Sequence, residues 1–248
     1  MVITCINQKG GVGKTTTADI IMSYLKTQNI PALAVDLDPQ ANLTTAFKAT
    51  MNDEIMDAFS GDFDINRLIT HTDKGDIITS SNRLRDAGEV LSKTGREFKL
   101  KKILDKVREE RDYKYIVIDT PPSLDILTIN ALTATDKVVV VAQADVYSIS
   151  GLDKLNEAIE LVKEYTNKNL KIDGILITRY NSRTNLSKNI LQTFEDIANQ
   201  IGTKVYSTPI RETIKIKEVQ AEQANIFELY PKENVTKDYL SFVEELLK

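Results

Sequence analysis

The feature that most constrains this chain is a glycine-rich segment between an apolar run and a helical pattern. It reads Lys9-Gly10-Gly11-Val12-Gly13-Lys14-Thr15-Thr16. A strand-length apolar run at residues 2–6 precedes it, and residues 15–27 follow with apolar side chains on one helical face. Glycines between a strand and a helix let backbone N–H groups and the helix dipole surround phosphate oxygens. The spacing therefore predicts a phosphate-binding loop, and the agreement of strand, loop and helix argues against an accidental glycine cluster.

The side chains of this loop have separate expected roles. Lys14 is expected to neutralise the β- and γ-phosphates of a nucleotide, and the Thr15 hydroxyl to reach Mg²⁺. Thr16 is expected at the α-phosphate. The loop departs from the general pattern G-x-x-x-x-G-K-[ST], because Gln8 stands where the first glycine would be and Lys9 follows it. The residues predicted to hold the nucleotide phosphates are Gly10, Gly11, Val12, Gly13, Lys14, Thr15 and Thr16.

Apolar runs of strand length recur along the chain, each followed by turn residues and a longer helical pattern. They cover residues 2–6, 31–35, 115–118, 137–142 and 172–177, with a weaker candidate at 76–79. Several runs are apolar on both faces, as strands inside a helix-covered parallel sheet must be. The pattern predicts an α/β fold with a doubly wound, mostly parallel sheet flanked by helices. We expect one domain over residues 1–248, without a helix-turn-helix domain before the first strand.

Carboxylates follow two predicted strands, at the sheet edge where ligands of open α/β sheets bind. Asp36 and Asp38 stand at alternate positions after one strand, which puts them on one side, and Asp119 ends another. Asp119 is the natural Mg²⁺ residue, acting through a water because this small ion keeps part of its hydration shell. Asp38 is the better candidate to orient an attacking water. Each acid also has an interpretation as a cap or turn former.

The amino-acid composition argues against disulfide frameworks and against metal sites built from several cysteines or histidines. The sequence has one cysteine, Cys5, in the first apolar run, and one histidine, His71. A disulfide framework or a metal site built from several cysteines or histidines therefore does not fit in one chain. The sequence has neither a signal-peptide pattern nor 18 consecutive apolar residues, so we expect a cytoplasmic protein without a membrane span.

Three motifs together resemble the ParA/MinD family of deviant Walker A ATPases, and more closely its ParA-type DNA partition ATPases. They are the loop at 9–16, Val35-Asp36-Leu37-Asp38-Pro39-Gln40, and Ile118-Asp119-Thr120-Pro121-Pro122-Ser123. A further stretch from Pro209 to Glu218 extends the resemblance, which covers most of the chain.

The resemblance implies a homodimer that sandwiches ATP and Mg²⁺, with Lys9 reaching the nucleotide of the other subunit. In this family the dimer binds duplex DNA without sequence preference. A ParB-like centromere-binding partner stimulates slow ATP hydrolysis, which dissolves the dimer, so the ATP-bound protein is nucleoid-associated. The segments that surround adenine in relatives resemble residues 178–181 and 209–211, which implicates Arg179, Pro209 and Arg211.

Other classes of protein share a similar loop, and each requires further features that can be looked for in this sequence. Nitrogenase iron proteins and iron–sulfur carriers need paired cysteines, and arsenite-pump ATPases carry two loops per chain, so neither fits. A MinD-like division regulator stays open as an alternative, although its basic amphipathic membrane helix does not match residues 238–248, whose polar face carries Asp238, Glu244 and Glu245. We expect that helix to pack on the sheet. A small-molecule ligase of the dethiobiotin synthetase sort is a third alternative.

The acidic total hides an uneven distribution of charge. The formal net charge is -4, yet residues 163–217 carry ten Lys or Arg against five Asp or Glu. That segment is therefore +5 and the remainder -9. We expect DNA contacts at Lys215 and Lys217, where relatives of this family carry basic residues, and at Arg183 and Lys188, which flank the start of a helix. The alternative interpretation is an ordinary solvated face.

Overall fold

The computed structural model describes residues 1–50, 53–61, 63–145, 148–149 and 151–248. Within these residues the chain forms a seven-stranded sheet with the order β3-β4-β2-β5-β1-β6-β7. All neighbouring strands are parallel except β3 and β4, which form an antiparallel hairpin at one edge. The strands are β1 (Val2–Ile6), β2 (Ala32–Asp36), β3 (Ile69–Thr72), β4 (Gly75–Ile78), β5 (Tyr115–Asp119), β6 (Lys137–Gln143) and β7 (Lys171–Thr178).

Helices cover both faces of the sheet. They are α1 (Lys14–Thr27), α2 (Asn42–Ala46), α3 (Ile55–Ser60), α4 (Ile65–Leu68), α5 (Ala87–Val90), α6 (Lys99–Glu110), α7 (Ile126–Ala134), α8 (Leu152–Tyr165), α9 (Asn185–Gln200), α10 (Ile214–Glu222), α11 (Ile226–Leu229) and α12 (Asn234–Leu246). Short 3₁₀ turns lie at Asn82–Asp86 and Arg96–Phe98. The predicted doubly wound, mostly parallel α/β sheet is confirmed.

The core is divided between the two faces of the sheet. Alternate strand residues pack against α1 and α12 on one face and against α6 to α9 on the other. The inner strands are buried on both sides, because helices cover both faces of a parallel sheet and favour apolar side chains at most strand positions. This burial explains why the six predicted apolar runs correspond to strands within one residue at each end.

The C-terminal helix α12 packs on the sheet, as the sequence predicts. Val235, Tyr239, Phe242 and Leu246 are buried against the core that also contains α1, and the Phe242 ring meets Tyr206 edge-to-face at 4.8 Å. The helix starts at Asn234, four residues before the amphipathic stretch predicted from the sequence at 238–248. Asp238 does not belong to that solvent-facing surface, because it is buried and forms an ion pair with Arg211. Among the described residues, no helix is both long and apolar enough to cross a membrane.

Candidate nucleotide site

The glycine-rich loop joins β1 to α1 in the middle of the sheet, between β5 on one side and β6 on the other. Gly11 and Gly13 have φ values of 76° and 103°, a backbone region that glycine adopts without a steric penalty. α1 begins at Lys14 with neither a side-chain cap nor an acidic residue in its first turn. The N–H groups of that turn therefore lack side-chain acceptors, and together with the helix dipole they form an anion-binding site.

Lys14 is the cation at the centre of this loop. Its side chain is buried, and its Nζ donates to the carbonyl oxygen of Lys9 at 3.3 Å. Burial lowers the pKa of Lys14, while the carboxylates of Asp119 and Asp38 oppose that shift. The fold thus brings Lys14 close to Asp119 and Asp38, two of the acids that follow the predicted strands.

Asp36 and Asp38 follow the same strand but have different environments. Asp36 is fully buried and accepts hydrogen bonds from the Thr44 N–H and hydroxyl, both at 2.8 Å, and from the Asp38 N–H. Burial raises the pKa of Asp36 to about 6, and these hydrogen bonds limit the increase. Asp38 lines a large cavity beside the loop, and its Oδ1 accepts from the Gln40 N–H at 2.9 Å. Asp36 therefore anchors α2, whereas Asp38 is placed to act on a ligand.

Asp119 ends β5 directly beside Asp36 on β2. It is fully buried, and within the described residues neither of its carboxylate oxygens has a hydrogen-bond partner. Burial raises the pKa of Asp119 well above its ordinary value and Asp36 adds to the shift, while the Thr15 hydroxyl and Lys14 oppose it. A buried carboxylate without partners next to a threonine hydroxyl fits the hard oxygen ligands that Mg²⁺ and its waters require.

A cavity of about 680 Å³ extends from the loop toward the C-terminal third of the chain. This volume is typical of a small-molecule site. Of the residues predicted near adenine, Arg179 and Arg211 line the cavity, and Pro209 stands just before the lining residue Ile210. The Arg211 guanidinium donates two hydrogen bonds to the Asp238 carboxylate, at 2.6 and 2.8 Å. Its charge is therefore already paired with α12.

The Lys9 side chain is held at the rim of the loop by residues of the same chain. Its Nζ forms an ion pair with Asp145 at 2.6 Å and donates to Gln143 Oε1 at 3.4 Å, while 35% of its side chain stays exposed. Although burial raises the pKa of Asp145, hydrogen bonds from Lys9 and Ser148 lower it overall. The roles of Gln143 and Asp145 were not predicted from the sequence. The available signal was that Gln143 ends β6 and Asp145 follows two residues later, as Asp119 ends β5 and Asp38 stands two residues after the end of β2.

Two further contacts of the loop were also missed. The Thr178 hydroxyl at the end of β7 donates to the Val12 carbonyl at 2.7 Å, which ties the loop to the far side of the sheet. From α10, Gln220 Nε2 donates to Thr16 Oγ1 at 2.8 Å. Both residues come from the C-terminal third, so no local pattern in the sequence indicates them.

The four residues predicted to contact DNA have unequal surroundings. Arg183 and Lys188 are exposed at the start of α9, and within the described residues they form no ion pair. Lys217 is exposed at the rim of the cavity. Lys215 is different, because its Nζ is bound to Glu218 at 2.9 Å and lies 4.4 Å from the Tyr230 ring centre. Among the residues that the structure describes, three of these four cations therefore have no ion-pair partner.

A loop of this shape between the first strand and first helix, with a buried lysine and strand-end acids, defines a P-loop nucleotide-binding protein. A family model described as an AAA domain matches residues 1–172. The sporulation initiation inhibitor protein Soj of Bacillus subtilis is 36% identical, over 99% of this chain and 97% of its own. The chromosome partitioning protein ParA of Myxococcus xanthus is 33% identical, over 99% and 88%. The chain belongs to the ParA/Soj family of partition ATPases, which confirms the resemblance inferred from its motifs.

Solved structures support the same fold. A cobyrinic acid a,c-diamide synthase from Mycobacterium smegmatis with bound ADP and magnesium has a TM-score of 0.85 and 32% identity, over 99% of this chain and 93% of its own. A plasmid partition protein from Borrelia burgdorferi has a TM-score of 0.78 and 27% identity, over 99% and 97%. Neither name is transferred to this chain by the similarity alone.

Proposed function

We propose that this chain is an ATP-dependent DNA partition ATPase that works as a homodimer, binds duplex DNA without sequence preference, and responds to a ParB-like centromere-binding partner. The observation that carries the proposal is the position of Lys9. Its backbone lies against the buried Lys14, yet its side chain points to the rim and is held there by residues that a second ligand can replace. A second cation at the edge of a phosphate site suits contact with the nucleotide of a partner subunit.

ATP and Mg²⁺ are the ligands that the site fits best. The cobyrinic acid a,c-diamide synthase from Mycobacterium smegmatis, which is 32% identical to this chain, has also been solved with a bound ATP analogue and magnesium. In this chain the loop amides and Lys14 would hold the phosphates, and Thr15 and Asp119 would hold Mg²⁺ and its waters. When bound, Mg²⁺ supplies charge neutralisation on the phosphate oxygens.

Hydrolysis then depends on residues that touch the reacting region. Asp38 lines the cavity and accepts one backbone N–H through Oδ1, so Oδ2 is available to orient a water. Lys9 would stabilise charge from the partner subunit, so turnover would require a dimer. The fully buried Asp36 has the structural role of holding α2, which follows the Asp38 turn.

Sequence-independent DNA binding would use the exposed cations near the C-terminal side of the cavity. Arg183, Lys188 and Lys217 are unpaired within the described residues, and Lys215 would have to leave Glu218 to contact phosphate. Dimerisation would double this set of cations. Binding of this kind depends on counterion release, so its affinity should fall steeply as salt rises.

The similarity to a cobyrinic acid a,c-diamide synthase favours testing a small-molecule enzyme as the second candidate. A ligase of that sort transforms a small substrate and has no reason to need DNA or an ATP-dependent dimer. The MinD-like alternative would require binding to anionic lipid in place of DNA. Liposome and DNA binding by the same preparation separate these alternatives.

The test is light scattering after gel filtration of the wild type with ATP, with ADP and without nucleotide. We expect the wild type to dimerise only in the presence of ATP. Asp38→Ala should form a longer-lived dimer without turnover, because this side chain orients water and is not needed to hold phosphate. Lys9→Ala should bind nucleotide as a monomer and fail to hydrolyse it. A wild type that stays monomeric with ATP while turning it over would overturn the proposal.

A further inference from the structure

One side chain of α10 reaches the phosphate loop. Gln220 Nε2 donates to Thr16 Oγ1 at 2.8 Å, and both residues line the nucleotide cavity. The two residues are 204 positions apart in the sequence, so the tertiary fold places this amide on the loop. Thr16 is the residue expected at the α-phosphate, which puts Gln220 one hydrogen bond away from the nucleotide.

The polarity of this hydrogen bond decides what the Thr16 hydroxyl can do. A hydroxyl has one proton to donate and two lone pairs that accept. Because Gln220 fills a lone pair, the Thr16 proton stays available for an oxyanion in the cavity. A carboxylate at position 220 would take that proton instead and turn the hydroxyl away from phosphate.

The nearby Asp19 does not compete for the Thr16 proton. It lies one turn further along α1 and also lines the cavity, so a free carboxylate there would accept the proton and repel phosphate. However, Lys74, in the turn between β3 and β4, forms an ion pair with Asp19 at 2.5 Å, and both side chains are nearly buried. The Lys74 ammonium thus balances the negative charge of Asp19. Gln220 remains the neighbour that sets the orientation of the Thr16 hydroxyl.

The position of α10 depends on few packing contacts. Val219 is its one buried residue, and Ile216 and Lys217 form part of the cavity wall. The same helix carries Lys215 and Lys217, two of the residues proposed to contact DNA. An element with little buried apolar surface moves at low free-energy cost, so a single hydrogen bond to the loop has a large share in holding it.

We propose that Gln220 is a positioning residue that orients the Thr16 hydroxyl toward the nucleotide phosphates and so fastens α10 to the loop when nucleotide binds. The proposal deepens the proposed function and rests on its ATP-binding part. It makes α10 the element through which phosphate occupancy reaches the cationic surface of the C-terminal third. By thermodynamic linkage, a ligand that holds α10 in this position also raises the affinity for nucleotide.

The first test measures the equilibrium affinity of ATP and ADP for the wild type and five variants of the full chain. Gln220→Ala should weaken both roughly two- to tenfold, the range of one net hydrogen bond. Gln220→Glu should weaken them more, because it reverses the hydrogen bond and adds negative charge. Ala221→Glu, which adds the same charge at an exposed position one residue along, is the matched control and should stay within about twofold of wild type.

The fourth variant is Thr16→Ala, and the fifth, Thr16→Ala with Gln220→Ala, completes a double-mutant cycle. In that background Gln220→Ala should cost no further affinity, because its partner hydroxyl is gone. A loss of the same size in both backgrounds, or a Gln220→Glu variant that binds like wild type, would overturn the proposal. If the wild type itself does not bind ATP, the proposed function fails rather than the role of Gln220.

The second test is hydrogen exchange of backbone amides at saturating nucleotide. ATP should slow exchange in residues 9–16 and 214–222 of the wild type. In Gln220→Ala the slowing should stay in the loop and disappear from α10. Equal protection of α10 in both proteins would contradict the coupling, whatever the affinities are.

Discussion

Replacing Asp145 with Asn should strengthen ATP-dependent dimerisation. In the monomer Lys9 is paired with Asp145 at 2.6 Å, and the same ammonium is proposed to contact the partner's nucleotide. Each subunit must therefore break one ion pair when the dimer forms. Asn keeps the shape of the side chain and an acceptor for the Ser148 N–H, which Asp145 Oδ1 binds at 2.9 Å, so the local turn should persist.

The magnitude follows from the exposure of the pair. Its side chains are 35% and 31% exposed, and partly exposed ion pairs contribute about 0.2 to 1 kcal/mol. Two pairs are lost per dimer, which gives about 0.4 to 2 kcal/mol. At about 1.4 kcal/mol per factor of ten, the dimer dissociation constant should fall about two- to thirtyfold.

Sedimentation equilibrium with a non-hydrolysable ATP analogue measures this constant without interference from turnover. The control is Asp105→Asn on α6, which removes one negative charge from an exposed Lys101–Asp105 pair away from the loop. A dimer of Asp145→Asn that is no tighter than that of the control would refute the exchange of partners by Lys9.

Three further predictions concern the buried site. Lys14→Ala should lose binding of a fluorescent ATP analogue and the ATP-induced dimer together, because the point charge on the phosphates is gone while the backbone loop remains. Asp119→Asn should melt no lower than wild type without ligand, since it removes a buried carboxylate without partners, but lose the rise in Tm caused by Mg²⁺ and ATP. Because the folded pKa of Asp36 is raised to about 6 from 3.8, its stabilising contribution is complete below pH 4 and lost as pH rises through 6, by about 3 kcal/mol at most. Urea unfolding between pH 4 and 7 should show that Asp36→Asn lacks this part of the pH dependence.

The sheet was predictable because its inner strands are apolar on both faces, whereas the edge strand β3 was not. Residues 69–72 have two buried and two less buried positions, and the strand exists because it pairs with β4 in an antiparallel hairpin. A four-residue strand of this kind has no apolar run to reveal it. The N-terminal part of α12 was missed for a related reason, since its buried Thr236 and Asp238 read as a polar surface.

Some residues of the site could be located from local sequence patterns, and others are brought together only by the tertiary fold. The loop and the three acids are contiguous with their strands, so spacing located them. Lys9 and Asp145 are 136 positions apart, and only the sheet order β1-β6 brings them together. The count of charge in residues 163–217 overstated the cationic surface, because Lys163, Lys204, Arg211 and Lys215 pair with acids outside that segment.

Binding to duplex DNA tests the central claim most directly. Fluorescence anisotropy of an arbitrary labelled duplex at about 0.1 M salt should show binding with ATP, and not with ADP or without nucleotide. The logarithm of affinity should fall with the logarithm of salt concentration at a slope near -0.9 per neutralised phosphate. The double variant Lys215→Glu, Lys217→Glu should lose binding while keeping the ATP dimer, and a matched Lys101→Glu, Lys102→Glu variant on α6 should keep both. Binding that is equal with ATP and ADP, or that no charge reversal on α10 changes, would contradict the account.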